Sequence, residues 1–233
     1  MNQNVLVFGA GGALGESIRL ALQALSWQVF TAGRPRGADA ESGQHTVVDY
    51  ASDPDSSIFQ GLPELHGVVW AHGLNTSDKI TEFDAGAFAD LWQANVAFIA
   101  SSMAALLGAG KLHVGAKLCV ISSIWQMESR LSKFSYTVSK AALQGLVKSC
   151  ALDLGERGIL INAVLPGVVD TPMTRQHLSA DQIDGFIQQT ALLRLAEPVD
   201  IAAAVAFLIG PSNRVITGQS LIVDGGFLGL RRT

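Results

Sequence analysis

NVLVFGAGGALG, residues 4–15, governs the reading of the whole chain. The apolar run from Val5 to Phe8 has no alternating polar position, as expected of a strand buried on both faces. It ends in glycines three apart, Gly9, Gly12 and Gly15. Beyond them Leu14, Ile18, Ala21, Leu22 and Leu25 recur at helical spacing. Glycines between a strand and a helix permit a tight turn and let backbone approach a ligand closely. They also aim a helix N-terminus, with its free N–H groups, at phosphates. The segment reads as a dinucleotide-binding turn, although a turn shaped by packing alone would use the same glycines.

The alternation continues outward. WQVFTAG, HTVVDY, LHGVVWAHG, AKLCVISS, ILINAVLPG and SLIVDGG read as six further short strands. Helical patterns lie between them, over about Asp84–Leu107 and from Ser135 into a glycine-bearing end near Gly158. Strands joined by crossover helices predict an α/β fold, one doubly wound parallel sheet of about seven strands covered on both faces. No Pro/Gly/Ser-rich linker divides the chain, so residues 1–233 are expected to form a single domain. Residues 171–196 interrupt the rhythm with mixed polar and apolar positions. They are expected to form a substrate lid above the strand ends, the alternative being an ordinary pair of surface helices.

Composition narrows the function class. Hydrophobic residues make up 48% of the chain and charged residues 15%, which excludes a disordered protein. A net charge of -4 argues against nucleic acid as a partner, since phosphate backbones need clustered Lys and Arg. The only cysteines, Cys119 and Cys150, sit in apolar runs and read as buried free thiols. No metal is expected. The N-terminus lacks a basic segment before its apolar residues, and no uninterrupted apolar run reaches the length of a membrane span. A soluble, cytoplasmic protein is the expectation.

Three further stretches carry chemistry. After the second strand, TAGRPRG supplies Arg34 and Arg36 where an acidic residue would otherwise hold the ribose 2′-hydroxyl of NAD. Guanidinium groups there favour the 2′-phosphate of NADP, with NAD kept as the alternative and two solvated arginines as the bland reading. Asp49, after the third strand, is placed to accept from an adenine amino group or simply to form a turn. In FSYTVSK, Tyr136 and Lys140 share a helix face at i, i+4, and Ser123 stands thirteen residues earlier at a strand end. An ammonium near the phenol favours its ionised form and brings its proton within reach of neutral pH. Ser123 would hold a substrate oxygen. Read alone, the pair is equally a packed tyrosine beside a solvated lysine.

Together these stretches resemble the short-chain dehydrogenase/reductase family over nearly the whole chain. YTVSK carries its Tyr-x-x-x-Lys motif, Ser123 matches its serine, and Asn95 in LWQANVAFIA matches its asparagine. LPGVVDTPM matches its Pro-Gly segment, and the tail ITGQSLIVDGG its last strand. The resemblance implies an oxidoreductase with a Rossmann-type fold that transfers hydride between NADP(H) and a carbonyl or secondary alcohol. Tyr136 would be the general acid or base and Lys140 its helper and ribose ligand. Ser123 would polarise the carbonyl, and Asn95 would hold a relay water. The family's cofactor contacts fall on Gly9, Gly12, Ala13, Leu14, Gly15, Arg34, Arg36, Asp49, Tyr50, Ala71, Gly73, Tyr136, Lys140, Pro166, Gly167, Val169 and Thr171. A homotetramer or homodimer is implied, through the helices near 84–107 and 135–155, where Phe98, Leu146 and Val147 put apolar groups on more than one face.

The chain departs from the family pattern at three places. Ala13 stands where the family has glycine. Trp70-Ala71-His72-Gly73 replaces Asn-Asn-Ala-Gly, with Trp70 able to support the core and His72 either near the nicotinamide ribose or structural. Trp125 and Met127 follow Ser123 where a small residue is common. They read as the wall of a pocket for a hydrophobic or cyclic substrate, with Ser123 and Tyr136 completing the substrate contacts; a tryptophan packed under the loop is the alternative. A homologue that binds nucleotide without catalysis, or a dehydratase or epimerase, is the competing function.

Overall fold

The computed structural model describes residues 3–34 and 44–229. The seven strands are β1 (Asn4–Phe8), β2 (Gln28–Gly33), β3 (His45–Val47), β4 (Leu65–Trp70), β5 (Leu112–Ile121), β6 (Leu160–Pro166) and β7 (Ser220–Val223). They form one sheet in the order β3-β2-β1-β4-β5-β6-β7, every pair parallel. The order reverses between β1 and β4, which opens a crevice at the carboxyl ends of those strands. The predicted doubly wound sheet is thus observed, in a single domain.

Among the described residues the α-helices are α1 (Ala13–Ala24), α2 (Ala85–Trp92), α3 (Phe98–Gly108), α4 (Phe134–Gly155), α5 (Pro172–His177), α6 (Ala180–Gln189) and α7 (Pro198–Ile209). The side-chain period of two sends alternate residues of β1 to opposite faces. Leu6 and Phe8 join the core with Phe98, Leu106, Leu143 and Val147 from α3 and α4. Val5 and Val7 join Ile18, Leu22, Val205 and Leu208 from α1 and α7. This two-sided burial is why the strands read as unbroken apolar runs.

Two expectations change. The helix predicted from Asp84 is α2 and α3 joined by one π-helical turn, Gln93–Ala97. At 85–108 it is long and apolar enough to cross a membrane, yet over half of its most apolar stretch packs inside the chain's own fold. Phe98 and Val147 are fully enclosed, and Leu146 packs against the same core. Of the residues named for a subunit interface, Phe98 and Val147 thus pack within the fold, while Leu146 keeps a partly exposed face.

Candidate active site

Gly9 ends β1 at φ 74°, a left-handed conformation, and a Cβ there would lie 2.7 Å from the His72 backbone nitrogen. A Cβ on Gly15 would lie 2.2 Å from the Gly9 carbonyl oxygen, so α1 can sit against this turn only with glycine in its first turn. Gly12 differs. The nearest atom to a Cβ at Gly12 is 3.6 Å away, so no protein contact requires glycine there. Gly12 and Ala13 are exposed, and Gly12 caps α1 with no side-chain acceptor on its N–H groups. The open space above an uncapped helix end suits a diphosphate.

Around this turn the expected adenosine contacts divide. Arg34 is exposed at the end of β2, with no acidic residue beside it in sequence. Arg36 lies outside the described residues. Asp49 Oδ1 accepts from the Ala51 backbone N–H at 3.0 Å, the turn-forming role weighed against adenine binding. Tyr50 donates to the Ala32 carbonyl at 3.2 Å and stacks on His72, centroids 4.2 Å apart and planes 4° off parallel. Burial pushes its hydroxyl up to about 12.

His72 itself is structural. Its Nε2 donates to the Ala94 carbonyl at 3.1 Å, and its ring stands edge-on to Phe98. Burial first, and the Lys140 charge second, push its pKa down to about 3, so it is neutral. Trp70 is fully enclosed, stacks on Phe8 and donates from Nε1 to Ser102 Oγ at 2.9 Å. An indole and its serine partner thus hold the β4 end in place of paired asparagines.

The four expected catalytic residues meet beside Gly73. Asn95 projects from the π-turn, a distortion that turns its amide out of the helical repeat. Its Oδ1 accepts from Leu74 N–H at 2.7 Å, and its Nδ2 donates to Leu74 O and to Ser139 Oγ at 3.0 and 3.1 Å. Both amide protons are spent. A relay water would therefore have to rest on the second Oδ1 lone pair or on backbone. A Cβ on Gly73 would lie 3.3 Å from Asn95 Oδ1 and 3.5 Å from Lys140 Nζ, so glycine keeps this space open.

Lys140 is buried, donates to the Ile121 carbonyl at 3.2 Å and stands 5.7 Å from the Tyr136 ring centroid. Burial pushes its pKa down to about 8. Tyr136 departs from expectation. Burial raises its pKa, and a hydrogen bond with Ser123 offsets only part of this. In the ligand-free protein, desolvation outweighs any help from Lys140, and Tyr136 stays protonated. Ser123 Oγ also accepts from Trp125 N–H at 3.3 Å.

Several supporting residues were not singled out from sequence. Asp78 accepts from Ser135 N–H at 3.0 Å and from its hydroxyl, which caps α4 from the segment after β4. Lys133, also buried, donates to Asn75 Oδ1, Thr76 O and Ser77 Oγ at 2.8, 2.7 and 3.0 Å. These bonds lock the first turn of α4, and with it Tyr136. The polar run NTSDK had no periodicity to mark it; an acid followed far downstream by an uncapped helix start was its only signal.

On the far side, Ala71 follows β4 and Pro166 ends β6. A Cβ on Gly167 would meet Asp224 Cβ at 2.8 Å. Val169 is buried and bridges to Ala196, and Thr171 caps α5 through Thr174 N–H at 3.2 Å. Leu14 is half-buried at the start of α1. Met127 is exposed, whereas Trp125 is half-buried and meets Phe227 edge-on at 6.3 Å.

Comparison with known proteins bears on the family and the fold. The family described as enoyl-(acyl carrier protein) reductase matches residues 56–228. An uncharacterized oxidoreductase of Bacillus subtilis, YmfI, is 30% identical over 97% of this chain and 99% of its own. An NADP(+)-dependent L-rhamnose 1-dehydrogenase of Thermoplasma acidophilum is 26% identical over 97% and 96%. A short chain dehydrogenase family protein from Francisella tularensis superposes with a TM-score of 0.87 at 25% identity, covering 99% of this chain and all of that one. With its sheet order, glycine turn and Ser123–Tyr136–Lys140 grouping, the chain belongs to the short-chain dehydrogenase/reductase family of oxidoreductases.

Proposed function

We propose that this chain is an NADP(H)-dependent reductase of carbonyl compounds, acting on a hydrophobic or ring-bearing substrate. One observation carries the reading: the buried Lys140 ammonium stands 5.7 Å from the Tyr136 ring centroid, with Ser123 beside the phenol, whose pKa burial raises. The Gly9–Gly15 turn would hold NADPH, which would supply the hydride. The protein's share is the proton. Ser123 and the Tyr136 hydroxyl converge on one substrate oxygen, and Tyr136 gives up its proton as that oxygen becomes an alkoxide. The developing phenolate is then favoured by the Lys140 ammonium, whose charge the cavity otherwise holds unpaired. For alcohol oxidation the same groups run in reverse, with Tyr136 as base.

NADP(H) is favoured over NAD(H) by Arg34 at the β2 end and by the named cofactor of the Thermoplasma relative. Trp125, half-buried next to Ser123, gives the pocket an aromatic wall. The segment 171–196, with α5 and α6, would close over it as a lid.

Tyr136→Phe tests the assignment. Turnover is expected to fall at least 10³-fold, the order of a lost general acid with its oxyanion contact, while NADPH affinity by fluorescence titration stays within about threefold, as expected of a group acting mainly on the transition state. Normal turnover by that variant on a confirmed substrate refutes it.

A further inference from the structure

Beyond Ser123, three separate segments converge on one cation. The Arg130 guanidinium carbon lies 5.8 Å from the Trp125 ring centroid and 5.6 Å from that of Phe186 on α6. Phe227, just past β7, touches both rings, at 6.3 Å from Trp125 and 5.9 Å from Phe186. Aromatic faces hold a guanidinium flat without using its N–H groups, which lie in its plane. Among the described residues no acceptor is hydrogen-bonded to those donors. Arg130 Nε is buried and has no hydrogen-bond partner. The ion pairs among the described residues are Arg19–Glu16, Lys79–Glu82, Arg175–Asp170 and Arg194–Asp200, so no carboxylate reaches Arg130.

A second cation lies close enough to feel Arg130, although Asp78 offsets part of its charge. Lys133, three residues on, has its ammonium 5.7 Å from the Tyr136 ring centroid. Its donors are taken by neutral oxygens. Holding a partly buried, unpaired guanidinium beside another cation is costly unless something anionic completes the site.

We propose that Arg130 anchors an anionic group of the substrate, so that the preferred compounds are oxo acids or other carbonyl compounds bearing a carboxylate or phosphate on an apolar frame. The inference rests on the carbonyl-reductase reading above and specifies its substrate class. Trp125 and Phe186 flank the fork, and the carbonyl is left toward Ser123. Seating the anion on the Nε edge requires Phe186 to give way. No residue of α6 is fully buried, so that helix can shift without opening the core.

Two matched probes test this: 4-oxo-4-phenylbutanoate and its methyl ester. Calorimetric titration of the NADP-loaded protein is expected to show the acid binding at least 30-fold more tightly than the ester. Arg130→Gln should remove that difference by weakening the acid alone, and Arg130→Lys, which keeps the charge but not the fork, should fall between. With NADPH, Arg130→Gln should raise KM for the acid by a similar factor and leave kcat, and KM for the ester, within about twofold, as for a contact made equally in ground and transition states. Equal binding of acid and ester, no binding of the acid, or equal damage to both by Arg130→Gln overturns the assignment; the last would mean that Arg130 merely props the loop. Failure of hydride transfer is read separately, as binding of the acid without oxidation of NADPH.

Discussion

Replacing Lys140 by methionine is expected to remove activity and yet stabilise the cofactor-free fold. Lys140 is buried with one hydrogen bond, to Ile121 O, and desolvation alone accounts for its pKa falling from 10.5 to about 8. At pH 7 the ammonium is charged in both folded and unfolded chains, and only the folded one bears the desolvation. The interval from 10.5 to about 8 corresponds to about 3 kcal/mol, at about 1.4 kcal/mol per pH unit. Losing the Ile121 bond gives back about 1 kcal/mol, and methionine fills the channel with a flexible apolar chain. A net gain of about 2 kcal/mol remains, or roughly 4–8 °C in Tm for a chain of this size. The pH dependence is distinctive. Between about 8 and 10.5 the unfolded chain keeps the Lys140 proton and the folded one has lost it, so wild-type stability rises with pH across that window. The variant lacks this rise. Urea unfolding followed by tryptophan fluorescence at pH 7 and pH 9.5 measures both effects. A less stable variant at pH 7, or parallel pH slopes for the two proteins, would refute the claim that Lys140 is held at an energetic cost.

Two other outcomes follow from the same geometry. Gly12→Ala should leave stability within about 0.5 kcal/mol, as at an unencumbered surface site, but weaken NADPH binding at least tenfold; Gly15→Ala, whose Cβ would meet Gly9 O at 2.2 Å, should cost more than about 2 kcal/mol. Thermal melts beside NADPH titrations separate the two, and a destabilised Gly12→Ala would mean that the turn serves packing alone. His72 is neutral in the fold down to about pH 3, whereas the unfolded chain protonates near 6.5. Wild-type stability should therefore fall on acidification below 6.5, by roughly 2 kcal/mol at pH 5 from this group. His72→Phe, which keeps the stack on Tyr50, should flatten that limb, and an unchanged acid slope would remove His72 as its source.

The strands, their parallel pairing and the candidate quartet of Asn95, Ser123, Tyr136 and Lys140 were all legible in the sequence. Each rests on local information: unbroken apolar runs, glycines at fixed spacing, Tyr136 and Lys140 one turn apart on a single helix, and motif resemblance for Ser123 and Asn95. How charged and polar groups are compensated emerges on folding alone, because their partners are distant in sequence. Asp78 finds Ser135 across 57 residues. Trp70 finds Ser102 across 32, and His72 settles between Tyr50 and Phe98 as a neutral ring. Phe98 and Val147, outward candidates by pattern, turn inward because both faces of the sheet need cover. The state of Tyr136 belongs to the same class. The i, i+4 spacing puts an ammonium near the phenol, but burial, which spacing does not encode, sets the sign of its pKa shift. Nothing in the sequence marks Arg130; folding brings Phe186 to it from 56 residues away and sets Phe227 against both flanking rings. Motifs fix which residues are present at a site; only the packed chain fixes which of their hydrogen bonds and charges are left for a substrate.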